Sequence, residues 1–154
     1  MRSAGLDKNT IFVLLGDHAS GHMAHPNLKE QHHIPLLIIG PQITPGIDET
    51  LGGQTDLIPT LIDLAGWHTR YASMGVSLVE PREKRSVLFA RDNMLGRFDE
   101  DSVLLHNLER VMLFEGAKRN EAKVEEKLKA QVQTLLSALE QNKLITKDLK
   151  VMDK

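Results

Sequence analysis

The chain has 154 residues, of which 41% are hydrophobic and 26% are charged, and its formal net charge at pH 7 is -2. These values are ordinary for a globular protein and exclude an extensively disordered chain. The 19 basic and 21 acidic residues are mixed along the sequence, with one Trp and one Tyr for base stacking, which argues against nucleic-acid binding. The absence of cysteine excludes disulfides, thiolate metal sites and thiol nucleophiles.

Two apolar runs in the first half predict strands. Thr10 to Leu15 and Ile34 to Ile39 are nearly continuous in apolar residues, the pattern of strands buried on both faces of a parallel sheet. The 17 residues between them, Asp17 to His33, are polar, include five of the seven histidines and lack the periodicity of a long helix. Because irregular connections of this length are uncommon unless they are functional, we expect a site in this loop.

A helix is predicted after a turn region that is rich in proline and glycine, Gly40 to Gly53. Asp56 is a plausible N-cap, Pro59 falls in the first turn where its missing N–H costs nothing, and Gly66 ends the helix. The expected buried stripe consists of Leu57, Leu61, Ile62 and Leu64. Strands, loop and helix together predict an α/β layer.

The second half predicts a different architecture. Three short strand candidates, Arg85 to Ala90, Ser102 to His106 and Arg110 to Phe114, have the spacing of an antiparallel meander. A long C-terminal helix follows, and its apolar stripe is expected to pack on the meander; the stripe is Val124, Leu128, Val132, Leu135, Leu136 and Leu139. A change of pattern near Pro81 predicts two domains, residues 1–80 and 81–154.

Asp17 and His18 follow the first predicted strand directly. In α/β sheets, sites gather at the carboxyl ends of strands, and a carboxylate with a neutral imidazole suits zinc or manganese. On this spacing alone, a turn with a solvated imidazole is an equally good interpretation. Ser20 lies close by, yet it lacks the flanking glycines of a nucleophile elbow.

Four motifs in the first half occur in a familiar order. They are Thr10-Ile-Phe-Val-Leu-Leu-Gly-Asp17-His18, His33-Ile-Pro-Leu-Leu-Ile-Ile-Gly-Pro41, Gln54-Thr-Asp-Leu-Ile-Pro-Thr-Leu-Ile-Asp-Leu-Ala-Gly66 and Met74-Gly-Val-Ser-Leu78. Together they resemble the C-terminal part of sulfatase-like members of the alkaline phosphatase superfamily, and most of all its lipoteichoic-acid synthase and phosphoglycerol transferase branch. The resemblance covers about half of the chain and fades beyond Arg91.

The resemblance implies both a fold and a metal site. It implies an α/β fold like the C-terminal portion of alkaline phosphatase, with parallel strands and a helix, before the small antiparallel sheet and the long helix. In that family the Asp-His pair binds a divalent ion, so Asp17 and His18 are the expected ligands of manganese, magnesium, calcium or zinc. His22 is the expected contact for the anionic substrate.

The same resemblance implies an incomplete catalyst. Family members take the nucleophile and the remaining acidic ligand from segments upstream of this strand, and no residue of this chain matches them. We therefore expect a fragment of a metal-dependent phosphotransferase or hydrolase that acts on phosphate or sulfate esters. It would be inactive alone, and its metal position need not be occupied in this chain. The parent would be membrane-anchored with an extracytoplasmic catalytic domain, and phosphoglycerol transfer to envelope glycans or lipids is one expected activity.

A non-catalytic assembly or regulatory module derived from the same fold is the alternative. A sheet shortened in this way would expose a strand edge, and exposed edges commonly pair with another chain. Both interpretations therefore allow a homo-oligomer formed through that edge.

Overall fold

The computed structural model describes residues 5, 8–19, 27–69, 71 and 73–141. The chain divides into two compact units, Met1–Glu49 and Thr50–Lys154. The predicted boundary near Pro81 lies inside the second unit, and the division into 1–80 and 81–154 stays a prediction. Within the described residues, no helix is both long enough and apolar enough to cross a bilayer.

The first unit is built around a two-stranded sheet. Strand β1 (Phe12–Leu15) pairs antiparallel with β2 (Leu36–Ile39), and Phe12 lies opposite Ile39. The prediction of parallel strands is therefore wrong for this pair. An apolar run indicates burial and carries no information about direction, whereas parallel neighbours need a crossover that is usually a long helix. The connection between β1 and β2 has no such helix among its described residues.

A single helical turn, α1 (Leu28–Gln31), lies in that connection. Its N-cap is Asn27, whose side-chain oxygen accepts the backbone N–H groups of Lys29 at 2.8 Å and of Glu30 at 3.4 Å. The side chain thus satisfies two donors that a helix start leaves free.

The side chains of β1 and β2 are less buried than their apolar sequences predict. Five of them expose between 40% and 55% of their surface, namely Leu14, Leu15, Leu36, Leu37 and Ile39. The expectation of burial on both faces is therefore not met within this chain.

The second unit begins with a 3₁₀ turn, Gln54–Asp56, that leads into helix α2 (Leu57–Leu64). Gly66 adopts a left-handed conformation with φ +64°. The N–H groups of Gly66 and Trp67 donate to the carbonyls of Asp63 and Ile62, both at 3.0 Å, which is a Schellman ending. The predicted helix and its glycine stop are confirmed.

Asp56 occupies the predicted N-cap position, but its carboxylate does not cap α2. The side chain is buried and accepts the backbone N–H groups of Gly53 at 2.9 Å and of Val76 at 2.7 Å. The assigned capping contact is therefore wrong, because a partner 20 residues away in the sequence competes for the same oxygen atoms.

Arg85 lies beside Asp56, with 3.9 Å between Nη2 and the Asp56 Oδ2 atom. Its side chain is 7% exposed. The guanidinium donates to four backbone carbonyls, those of Leu51 (2.9 Å), Val76 (2.8 Å), Ser77 (3.1 Å) and Glu80 (3.4 Å). This buried ion pair ties residues on both sides of the predicted boundary at Pro81 to one another.

A four-stranded antiparallel sheet follows, in the order β3 (Ser86–Arg91), β4 (Met94–Asp99), β5 (Val103–His106) and β6 (Val111–Glu115). The meander is confirmed, but the three-strand prediction missed β4. A two-residue turn with Asp92 at φ +52° connects β3 to β4. Gly96 and Arg97 interrupt the apolar pattern of β4, which concealed the strand.

The long helix α3 (Glu121–Glu140) packs on one face of this sheet. Leu104 of β5, which is fully buried, contacts Val124 and Leu128 of the helix. On the opposite face, Val87 of β3 lies against the backbone of Gly53. All four residues of β5 are buried, since the strand is covered from both sides.

The predicted apolar stripe of α3 is only partly used. Val124 and Leu128 are buried and Val132 packs against the same cluster. Leu136 and Leu139 remain about half exposed, at 53% and 52%, so the stripe continues past the core and its prediction as core is wrong for these two positions.

His106 is 1% exposed. Its Nδ1 atom accepts the Leu108 backbone N–H at 2.8 Å, which places the proton on Nε2, 3.1 Å from Glu125 Oε1. Hydrogen bonds from Lys129 and then from His106 lower the pKa of the Glu125 carboxyl. The imidazole thereby links β5 to α3.

Replacing Arg85 by Met should lower the free energy of unfolding by about 3–5 kcal/mol, because Asp56 would remain buried without its counter-charge and four carbonyls would lose their donor. The matched control is Arg82→Met, which removes an exposed ion pair with Glu80 and should cost less than about 1 kcal/mol. Urea unfolding followed by circular dichroism measures both. Equal effects of the two variants would contradict the importance of the buried pair.

Replacing Gly96 by Ala should destabilise the sheet by about 1–3 kcal/mol. A Cβ atom there would lie 2.1 Å from Cζ of Phe89, its cross-strand partner, whose ring stacks on Phe98 at 4.2 Å between centroids. Gly46→Ala is the control, since no atom lies within 4 Å of the added methyl group, and it should change stability by less than about 0.5 kcal/mol. Thermal unfolding compares them, and an unchanged melting temperature for Gly96→Ala would refute the close packing.

Candidate metal centre

Asp17 and His18 follow β1 at the point where its pairing with β2 ends. The Gly16 N–H donates to the Pro35 carbonyl at 3.1 Å, so the ladder continues one residue beyond Leu15. A Cβ atom added at Gly16 would lie 3.3 Å from the Ile34 Cβ atom, so there is little space for a side chain at this position. The next two side chains reach solvent, with Asp17 92% and His18 76% exposed.

Local hydrogen bonds orient both side chains. The His18 backbone N–H donates to Asp17 Oδ1 at 2.9 Å. The His18 Nδ1 atom lies 3.0 Å from the Ala19 carbonyl oxygen, which can only accept, so Nδ1 carries a proton. In the neutral imidazole, Nε2 then holds the lone pair, 3.7 Å from Asp17 Oδ1.

This arrangement raises the pKa of His18. The hydrogen bond to the Ala19 carbonyl is the larger cause, and the negative charge of Asp17 is the second. Both contacts favour the imidazolium ion, whose Nε2 proton faces the carboxylate. A metal ion bound at this place would have to replace that proton.

The pair fits two positions of a divalent-metal site. Two ligands of one tetrahedral ion, with bonds of about 2.0–2.2 Å, lie about 3.4 Å apart, and the observed separation of Asp17 Oδ1 and His18 Nε2 is close to this. The Nδ1–H bond to a backbone carbonyl is the contact that commonly orients metal-binding histidines. In the part of the chain that the structure describes, no group of three or more His, Cys, Asp or Glu residues could hold an ion.

The other predicted residues of the loop are placed as follows. His22, the expected substrate contact, lies outside the described residues together with Ser20 and His25. Nδ1 of His32 donates to the Leu28 carbonyl at 2.9 Å. His33 lies 3.6 Å from Glu30, and its side chain is 75% exposed.

Comparison with known proteins finds similarity to one family. The sulfatase family model matches residues 1–67, the segment that contains β1, Asp17, His18 and α2. The chain is 34% identical over 86 residues to arylsulfatase K of Xenopus laevis, which covers 51% of this chain and 16% of that protein. It is 26% identical over 104 residues to lipoteichoic acid synthase 1 of Bacillus subtilis, covering 58% of this chain and 16% of that protein.

A solved structure extends the similarity to the second unit. A crystal structure of a protein in the alkaline phosphatase superfamily from Vibrio parahaemolyticus matches with a TM-score of 0.72 and 23% identity. The match covers 92% of this chain and 38% of that one. The chain thus spans about a sixth of the curated relatives and less than half of the solved structure. By motif order, by the family match over residues 1–67 and by fold, it is similar to the sulfatase-like proteins of the alkaline phosphatase superfamily.

Proposed function

We propose that this chain supplies two ligands, Asp17 and His18, to the divalent-metal centre of an enzyme that hydrolyses or transfers sulfate or phosphate esters. The observation that carries the proposal is the approach of Asp17 Oδ1 to His18 Nε2 at the end of β1, with Nδ1 already engaged by Ala19. Similarity to the sulfatase-like proteins supports the ester chemistry.

The two side chains have separate roles in this proposal. Asp17 offers an anionic oxygen, whose rotamer is restricted by the hydrogen bond from the His18 N–H. His18 offers Nε2 once its proton has left, and the Ala19 carbonyl keeps the ring in the required tautomer. When bound, a divalent ion would polarise the ester and neutralise charge on the transferring group. The high exposure of both residues leaves room for a substrate oxygen and for further ligands.

The donor set bears on the identity of the metal. One carboxylate and one imidazole suit zinc or manganese better than magnesium or calcium, which prefer oxygen ligands. The named relatives include a sulfatase and a lipoteichoic acid synthase, so sulfate esters and phosphoglycerol groups are both proposed substrates. The nucleophile, a membrane anchor and an extracytoplasmic setting belong, in this proposal, to the whole enzyme.

Replacing either proposed ligand should weaken metal binding. We expect Asp17→Ala and His18→Ala to reduce the affinity for zinc and manganese at least tenfold, because each removes one of the two donors that the structure brings together. Calorimetric titration of the full chain with each metal measures the effect.

The matched control is His33→Ala. This residue is an exposed histidine of the same unit whose Nδ1 faces Glu30 rather than Asp17, and its loss should change affinity less than twofold. An equal loss in the control would indicate non-specific binding to histidine. Absence of zinc and manganese binding in the unmodified chain would favour the non-catalytic module instead.

Metal binding should weaken as the pH falls. Because the pKa of His18 is raised, protons compete with the metal at a higher pH than they would for an ordinary histidine, and well below that pKa the affinity should fall about tenfold per pH unit. Asp17→Asn should lower the pKa of His18 by removing the second cause of the shift. Proton NMR of the His18 ring in the metal-free chain measures this pKa. An unchanged pKa in the variant would contradict the contact between Asp17 and His18.

A further inference from the structure

A buried histidine holds the turn between β5 and β6, residues 107–110. Both ring nitrogens of His106 are engaged: Nδ1 accepts the Leu108 N–H at 2.8 Å, and Nε2 donates to Glu125 Oε1 at 3.1 Å. Leu108 has φ +76°, a left-handed conformation that costs a leucine free energy. Because the Leu108 side chain is 67% exposed, its burial does little to offset this cost. The hydrogen bond to Nδ1 therefore helps to hold Leu108 in this conformation.

We propose that this turn is a pH-sensitive latch, which opens when His106 takes up a proton. The neutral ring accepts at one nitrogen and donates at the other, whereas the imidazolium ion donates at both. A proton on Nδ1 would face the Leu108 N–H across 2.8 Å, and two donors repel each other at that distance. The ring becomes charged when the Leu108 N–H turns away, and relief of the strained backbone favours that movement.

On α3, Glu125 and Lys129 are the charged groups beside the ring. The Glu125 carboxylate accepts the Nε2 proton of His106, and a hydrogen bond from Lys129 at 2.5 Å partly balances its charge. The bond from Lys129 and then the bond from His106 lower the pKa of the Glu125 carboxyl, so this group stays ionised where a histidine changes charge. The Nε2 contact is therefore available to both charge states of the ring, and protonation removes the Nδ1 contact alone.

The other described charged groups near the ring are exposed to solvent. Glu109 and Arg110, of opposite sign, belong to the turn itself, and Glu140 lines the same cleft as His106 at the end of α3. Exposed charges of this kind interact weakly with their neighbours. Leu95 of β4 and Val111 of β6, which lie opposite His106 in the sheet, are apolar. The described surroundings thus leave the lost Nδ1 contact uncompensated.

Opening of the latch changes a cleft of about 340 Å³ beside α3. His106 and Leu108 line this cleft together with Leu136 of the helix. The open turn binds one proton more than the closed turn, so the population shifts towards the open form as the pH falls. Acidification therefore moves the Leu108 wall of the cleft. This inference does not rest on the proposed metal ligands.

NMR titration of the 15N-labelled chain between about pH 8 and pH 5 tests the latch. The Leu108 amide signal should change with the same midpoint as the His106 ring. Its hydrogen exchange, corrected for the intrinsic pH dependence, should accelerate by about tenfold at the acidic end. The amides of Glu109 and Arg110 are internal controls, because they donate to Asn107 Oδ1, which does not titrate, at 3.0 and 2.8 Å. Their corrected exchange should change by less than about threefold.

His106→Asn provides a matched variant. An asparagine side-chain oxygen can accept the N–H two residues further on, as Asn107 does for Glu109, but it cannot take up a proton. The Leu108 amide should therefore lose its pH dependence in this variant, and a retained pH dependence would contradict the latch. If the variant fails to fold by circular dichroism, the three amides of the unmodified chain decide the question.

Three results in the unmodified chain would overturn the proposal. In the first, the His106 ring becomes protonated while the Leu108 amide stays unchanged. In the second, the ring stays neutral until the whole chain unfolds. In the third, the amides of Leu108, Glu109 and Arg110 change equally, which would indicate general fraying of the turn.

Discussion

The buried ion pair of Arg85 and Asp56 is the interaction on which the second unit depends. The backbone around Leu51 and from Val76 to Glu80 has no regular structure, so its carbonyls would lose their hydrogen bonds to water when the segment packs. One guanidinium, with five fixed donors, satisfies four of them, and Asp56 balances its charge while accepting two backbone N–H groups. An irregular segment can therefore pack against the sheet, where Gly53 lies against Val87 of β3, without leaving its polar groups unsatisfied.

A second buried polar group fixes the other layer. His106 connects β5 with Glu125 of α3 and accepts the N–H of Leu108, a residue held at φ +76° where leucine is seldom found. The strained turn and the helix are thus linked through one imidazole. The apolar core beneath the helix is small, with Leu104, Val124 and Leu128 at its centre. Directional contacts of this kind therefore help to position α3, in addition to the burial of apolar side chains.

In the first unit, the two candidate metal ligands are positioned by contacts with neighbouring residues in the sequence. Asp17 and His18 are oriented by their own backbone and by the Ala19 carbonyl, within three consecutive residues. Such an arrangement can persist in an exposed position, since it does not require a buried network to hold the imidazole tautomer. The apolar strands that precede and follow the loop, by contrast, keep several leucine side chains about half exposed.

The sequence by itself determined the helix with its glycine stop at Gly66, the antiparallel meander, the long C-terminal helix and the Asp17-His18 pair. All of these rest on local periodicity, on turn chemistry or on a short motif. Only the tertiary structure decided the antiparallel pairing of β1 with β2, the strand hidden around Gly96, and the burial of Arg85 and His106. The direction of a strand and the partner of a buried polar group depend on residues distant in the chain: Arg85 meets Leu51 across 34 positions and His106 meets Glu125 across 19. No local pattern carries that information, because the same side chains would be solvated if those distant segments were placed elsewhere.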